Sequence, residues 1–157
     1  MSEQRSIQRT HYKRADPPPV MQFQPKDGAV IAAIYDYDGV VARRHIKELF
    51  WPHTSWRAME MRLSLLYHQG YLDWPTIEQR QTKPIPEPIC WLGWRGIVWL
   101  AAQKGVLVTA PEKAGENKLR KLEKELREHG LHWLREPHWL QLSHDLAIVD
   151  VRRAVER

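Results

Sequence analysis

The 157 residues leave room for one compact domain, or one domain and part of a second. A hydrophobic fraction of 43% with eight tryptophans excludes a mostly disordered chain, because tryptophan has to be buried or stacked. The 24 Lys and Arg against 19 Asp and Glu give a net charge of +5, an excess that suits a polyanionic partner.

Cys90 is the lone cysteine, which rules out an intramolecular disulfide and zinc sites built on several thiolates. The N-terminus lacks the apolar run of a signal peptide, and no stretch approaches the ~20 apolar residues that span a bilayer. The expectation is a cytoplasmic protein with no membrane partner.

Residues 1–22 are polar, carry Arg5, Arg9, Lys13 and Arg14, and close on Pro17-Pro18-Pro19. That composition predicts a flexible basic arm. A first helix is expected from Pro25-Lys26-Asp27, with Val30, Ile31, Ile34 and Tyr35 as its apolar stripe and Gly39 as its stop. Val41-Ala42 then opens a short second helix. Ile46, Leu49 and Phe50 are its buried face, Arg43, Arg44 and Lys47 lie outside, and Trp51-Pro52 ends it.

Thr54 or Ser55 caps a third helix that runs to Gln69. Met59, Leu63, Leu66 and Tyr67 face inward, while Trp56, Arg57, Glu60, Met61 and Ser64 fall on the opposite side. Two strands are predicted, one in 71–74 and one in 88–92. The Pro84, Pro86 and Pro88 alternation between them describes an extended, exposed hairpin loop. A fourth helix covers about Trp94 to Lys104.

Beyond Gly105 the pattern predicts a possible strand at Val106–Val108, a charged helix over Glu116–Glu128, a brief apolar stretch at Leu131–Leu134 and a last helix over Leu140–Val155. Two short helices joined by a tight turn and followed by a two-stranded ribbon read as a winged helix-turn-helix. The expected fold is therefore mostly α with a small β-wing. It divides into an arm (1–22), the winged domain (23–109) and a helical C-terminal extension (110–157).

The run Arg62-Leu63-Ser64-Leu65-Leu66-Tyr67-His68-Gln69-Gly70-Tyr71-Leu72 resembles the recognition helix and first wing strand of many winged-helix regulators. More narrowly, Trp91-Leu92-Gly93-Trp94-Arg95-Gly96-Ile97-Val98-Trp99-Leu100 is similar to the segment after the wing in the replication-relaxation family. Leu142-Ser143-His144-Asp145-Leu146-Ala147-Ile148-Val149-Asp150-Val151 resembles the stretch that opens that family's second region. The resemblance covers about residues 25–157 and implies DNA binding linked to plasmid replication or transfer; the expected role is in plasmid or mobile-element replication or in transcription regulation. Family members usually carry threonine where Gly93 stands. This chain also stops where their C-terminal region begins, so a truncated form or the leading piece of a longer protein is expected.

In this reading the third helix enters the major groove. Ser55, Trp56, Arg57, Glu60, Met61 and Ser64 then face base edges, with Arg57 the best base contact. Thr54 and Ser55 reach phosphates at the groove edge. Arg43, Arg44 and Lys47 hold the backbone from the second helix, and Arg80 and Lys83 do so from the wing. Trp56 either packs under the second helix or meets a partner.

Residues 40–83 hold seven basic side chains against four acidic ones, a modest surplus that a homodimer would double. The alternative is a winged-helix protein-interaction module that does not bind DNA. Pairing of these bases with carboxylates such as Glu48 and Glu60 would favour it.

No catalytic or cofactor motif is evident. The late histidines His129, His132, His138 and His144, beside Asp145 and Asp150, lack metal-ligand spacing and read as surface or interface residues. Cys90, set among apolar residues, reads as a buried inert thiol. A nuclease whose catalytic residues lie beyond residue 157 is the weakest alternative.

Overall fold

The computed structural model describes residues 13–157. Its elements run α1 (Pro25–Asp36), β1 (Val40–Ala42), α2 (Arg43–Phe50), α3 (Trp56–His68), β2 (Leu72–Asp73), α4 (Ile77–Thr82), β3 (Ile89–Leu92), α5 (Trp94–Gln103), α6 (Glu116–Glu128), a 3₁₀ turn (Trp139–Gln141) and α7 (Leu142–Glu156). The protein is mostly helical with one three-stranded antiparallel sheet in the order β1-β3-β2. Among the described residues no helix is long and apolar enough to cross a membrane.

The first strand departs from expectation. Val40-Val41-Ala42 pairs with Trp91, Cys90 and Ile89 of the central strand instead of opening a helix. All three residues are buried because both faces of the sheet are covered. A short apolar run buried on two sides has no polar alternation, so periodicity does not separate it from a helix start.

Side chains alternate across this sheet. Val41, Cys90 and Leu92 join the main core with Ile31 and Ile34 of α1, Met59, Leu63 and Leu66 of α3, and Ile97 and Leu100 of α5. Val40, Ala42, Ile89 and Trp91 face the other way and meet Leu142 and Leu146 of α7. The C-terminal extension thus packs on both sides: Leu122 and Leu126 of α6 close the main core while α7 closes the second layer.

Much of the tryptophan content pins the irregular segments. Trp94 Nε1 donates to the Pro111 carbonyl at 2.9 Å, Trp133 Nε1 to the Leu92 carbonyl at 3.0 Å and Trp91 Nε1 to the Arg135 carbonyl at 2.9 Å. Val106–Val108 and Leu131–Leu134 have no regular secondary structure, yet Leu131 and Trp133 are buried in the core.

Where α5 crosses the end of α3, backbones touch. A Cβ on Gly93 would lie 2.3 Å from the Gly70 carbonyl oxygen, and one on Gly96 would lie 2.2 Å from that of Tyr71. The glycine at position 93 therefore fills a place where this backbone leaves no room for a side chain.

The connection between β2 and β3 also departs from expectation. Instead of an extended loop it holds α4, closed by a capping box in which Thr76 Oγ1 accepts from the Gln79 amide at 3.1 Å and Gln79 Oε1 accepts from the Thr76 amide at 2.9 Å.

The stretch 13–22, expected within a flexible arm, makes specific contacts. Arg14 donates to the carbonyls of Tyr67 (2.9 Å) and Leu72 (2.7 Å), and the Ala15 amide donates to His68 Nδ1 at 2.9 Å. The rest of that arm, residues 1–12 with Arg5 and Arg9, lies outside the described residues.

Candidate nucleic-acid interface

The third helix begins where the sequence places it. Ser55 is its N-cap, and the Ser55 hydroxyl accepts from the Ala58 amide at 3.2 Å. That hydroxyl stabilises the helix start, and Thr54 Oγ1 turns back to the Trp51 carbonyl at 3.5 Å.

Beyond the cap the outer face is open. Trp56 is 44% exposed and Met61 59% exposed, Arg57 is exposed, and Ser64 is half-buried. Trp56 therefore does not pack away under α2. Arg57 forms no ion pair among the described residues.

Arg43 requires a correction. The sequence reading puts it on the outside of the second helix, but it is 5% exposed. Arg43 stands three residues before Ile46 and seven before Phe50, so helical spacing puts it on the same inward face as those apolar residues. Its guanidinium lies 4.3 Å over the Trp74 ring and Nη1 donates to Glu60 Oε2 at 2.7 Å. Trp74 stacks in turn on Tyr67 at 4.1 Å and 9°. A column of Glu60, Arg43, Trp74 and Tyr67 thus fixes α2, α3 and the end of β2 together. Glu60, expected at base edges, is held by Arg43 in this column.

Arg44 is partly exposed but neutralised. It donates in a fork to Glu87 (2.6 and 3.0 Å) and in another to Asp150 of α7 (2.7 and 3.0 Å). Asp150, and then Glu87, hold its guanidinium proton more firmly than usual. Reciprocally Arg44, and then His45, hold the Asp150 carboxyl well below the usual carboxylate range.

His45 completes this contact. The Ala42 amide donates to Nδ1 at 3.0 Å, so the ring proton sits on Nε2 and donates to Asp150 at 2.7 Å. Arg62 is likewise bound to the fully buried Asp27 of α1, Nε to Oδ1 at 2.8 Å.

A different set of cations gathers at the turn between α2 and α3. Lys47 Nζ donates to the Trp51 carbonyl. Lys26, at the start of α1, places its ammonium 4.8 Å over the Trp51 ring. His53, within the turn, is exposed. With Arg57 just past the cap, Lys26 and Lys47 bring positive charge to the turn, where it meets a carbonyl and an aromatic face.

Lys26 is a contributor that sequence reasoning missed. Its place at a helix start suggested only capping, and no spacing rule links it to Trp51. Between β2 and β3, Arg80 lies in the last turn of α4 and Lys83 is its C-cap, both exposed. Ile77 of the same helix is 55% exposed.

Elsewhere, Cys90 is buried, and burial pushes its thiol up to about 12. His129, His132, His138 and His144 are all exposed. Among the described residues no group of three His, Cys, Asp or Glu side chains is placed to hold a metal ion. Compared with family models, with curated proteins and with solved structures, the chain finds no match in any of the three.

Proposed function

We propose that residues 25–105 form a winged helix-turn-helix that binds double-stranded DNA, with α3 in the major groove and the α2–α3 turn against the phosphate backbone. One observation carries this reading. A helix, strand, helix, turn, helix order leads into a β2–β3 ribbon paired as β1-β3-β2, and the one long helix between turn and ribbon leaves Trp56, Arg57 and Met61 of its first half exposed.

Arg57 and Trp56 stand where such a helix meets base edges, while Lys26 and Lys47 flank the turn where such a fold meets phosphate. Arg44, Arg80 and Lys83 are secondary contacts in this reading, and Arg43 supports the fold. The link to plasmid or mobile-element replication rests on the resemblance of the 91–100 and 142–151 runs alone, and that to transcription regulation on the 62–72 run.

The test is fluorescence anisotropy of labelled duplexes, including mixed genomic fragments, at about 50 and 200 mM salt. The expected result is binding that weakens steeply with salt and is reduced by Arg57→Ala. No binding at the lower salt overturns the reading.

The second reading is a protein-interaction module. Two observations favour it: Arg43 and Arg44 both carry carboxylate partners, and Trp56, Met61 and Ile77 leave apolar surface exposed. Salt-insensitive capture of a protein through Trp56 and Met61, without DNA binding, is its signature.

A further inference from the structure

The last helix is amphipathic twice over. Its inner side, Leu142, Leu146 and Val149, is buried against the protein. On the opposite side His144, Ile148, Val151 and Val155 follow at spacings of four, three and four, the repeat of a coiled-coil seam. His144 is exposed, and Ile148, Val151 and Val155 are 41%, 63% and 80% exposed. The flanks of this row are unlike each other. Asp145 and Arg152 border it on one side, and the exposed Ala147 and Ala154 border it on the other.

We propose that this row is the docking surface for a second copy of the chain, with the two α7 helices antiparallel about a two-fold axis midway between Ile148 and Val151. About that axis every position finds a complement. Ile148 meets Val151 of the second copy and His144 meets Val155. Asp145 meets Arg152, so opposite charges face each other twice on one flank. Ala147 meets Ala154 on the other flank, where small side chains let the helices approach closely.

A parallel pairing sets the charged flank of one helix against the alanine flank of the next, and the charges find no counterpart. Arg152 is already held in position for the contact. Its guanidinium lies 4.6 Å over the Tyr37 ring and 3.7 Å from Asp38, a fixed fork with donors to spare. A seam of four layers falls short of the ~800 Å² per partner of a standard interface, so the expected association is micromolar.

Self-association is read without DNA, so this proposal and the DNA reading stand or fall separately. Sedimentation equilibrium of the full chain from about 1 to several hundred µM should show a monomer–dimer equilibrium. Asp145→Arg alone should weaken it at least tenfold by setting like charges face to face, and Asp145→Arg with Arg152→Asp should restore it. Val151→Glu should abolish it with circular dichroism unchanged.

Mixed under oxidation, the Ala147→Cys and Ala154→Cys proteins should cross-link to each other in preference to themselves, Cys90 being buried. A chain monomeric throughout the range overturns the proposal. So does a double charge swap that stays as weak as the single one, or Ala147→Cys cross-linking mainly to itself.

Discussion

Two groups of basic side chains lie on α1, α2 and α3 and differ in what they face. Arg43, Arg44 and Arg62 point at Glu60, at Glu87 and Asp150, and at Asp27. Lys26, Lys47 and Arg57 lie about the Trp51 turn, where an indole face meets Lys26 and a carbonyl Lys47, and no carboxylate among the described residues pairs with any of the three. A formal charge count weighs both groups alike. The first is spent on internal ion pairs that fix geometry, and the second is left to set the outward field. A small surplus can therefore still give a concentrated positive patch.

The sharpest way to break that comparison is Arg43→Ala. Removing this guanidinium leaves Glu60 unpaired and uncovers Trp74 beneath it, which should cost about 2–4 kcal/mol in urea unfolding. DNA affinity, corrected for the folded fraction, should hardly change. A stable variant with lost affinity would put Arg43 among the contacts and erase the distinction.

Arg57→Ala should behave in the opposite way. Affinity should fall by about 1–3 kcal/mol with altered sequence preference, while the unfolding free energy stays within about 0.5 kcal/mol. Lys26→Ala with Lys47→Ala should weaken binding to all duplexes alike and lower the salt slope by about one to two.

How much of this was legible in the sequence follows from which forces are local. The starts of α1 and α3, the span of α6 and the end of α3 at Gly70 were readable because caps, proline and glycine act within a few residues. β1 was not, since its partners Ile89–Trp91 lie far along the chain and its burial on both faces removes alternation. Arg43 was misplaced for a different reason: it stands three residues before Ile46, on the buried face by helical spacing, and its charge was read as exposure.

The helix α4 was readable in principle: Thr76-x-x-Gln79 is a capping-box pattern, but the loop was read from the alternating prolines alone. The neutralisation of Arg44 was beyond reach: Asp150 is 106 residues away, and a helix packing from the far end of the chain brings it there.

That long-range contact sets the next prediction. The Asp150 carboxylate is held low by Arg44 and then His45, so its contribution to stability is present above the unfolded carboxylate pKa and is lost as pH falls. Glu48, which partial burial pushes up and Arg157 and Arg153 pull lower still, acts in the same sense. The docking of α7 should loosen below about pH 4, with fluorescence of the Trp91–Trp139 pair as the probe. Because Asp150 is 45% exposed, solvent screening keeps the effect small. Asp150→Asn should flatten the acid dependence, and an unaltered profile would place it on other carboxylates.

The smallest expected effect bears most directly on the comparison, because it tests whether a side chain can move from one group to the other. Asp150 and Glu87 occupy the Arg44 fork in the way that phosphate oxygens would. Asp150→Asn keeps an oxygen to accept from His45 Nε2 but removes one of the two charges holding Arg44. If the second helix approaches the DNA backbone, duplex affinity at low salt should rise a few-fold, and the gain should vanish in an Arg44→Ala background. The rise stays small because Glu87 remains on the other edge of the guanidinium. Unchanged affinity and salt slope would take Arg44 off the DNA and leave Lys26, Lys47 and Arg57 as the whole of the contact around the turn.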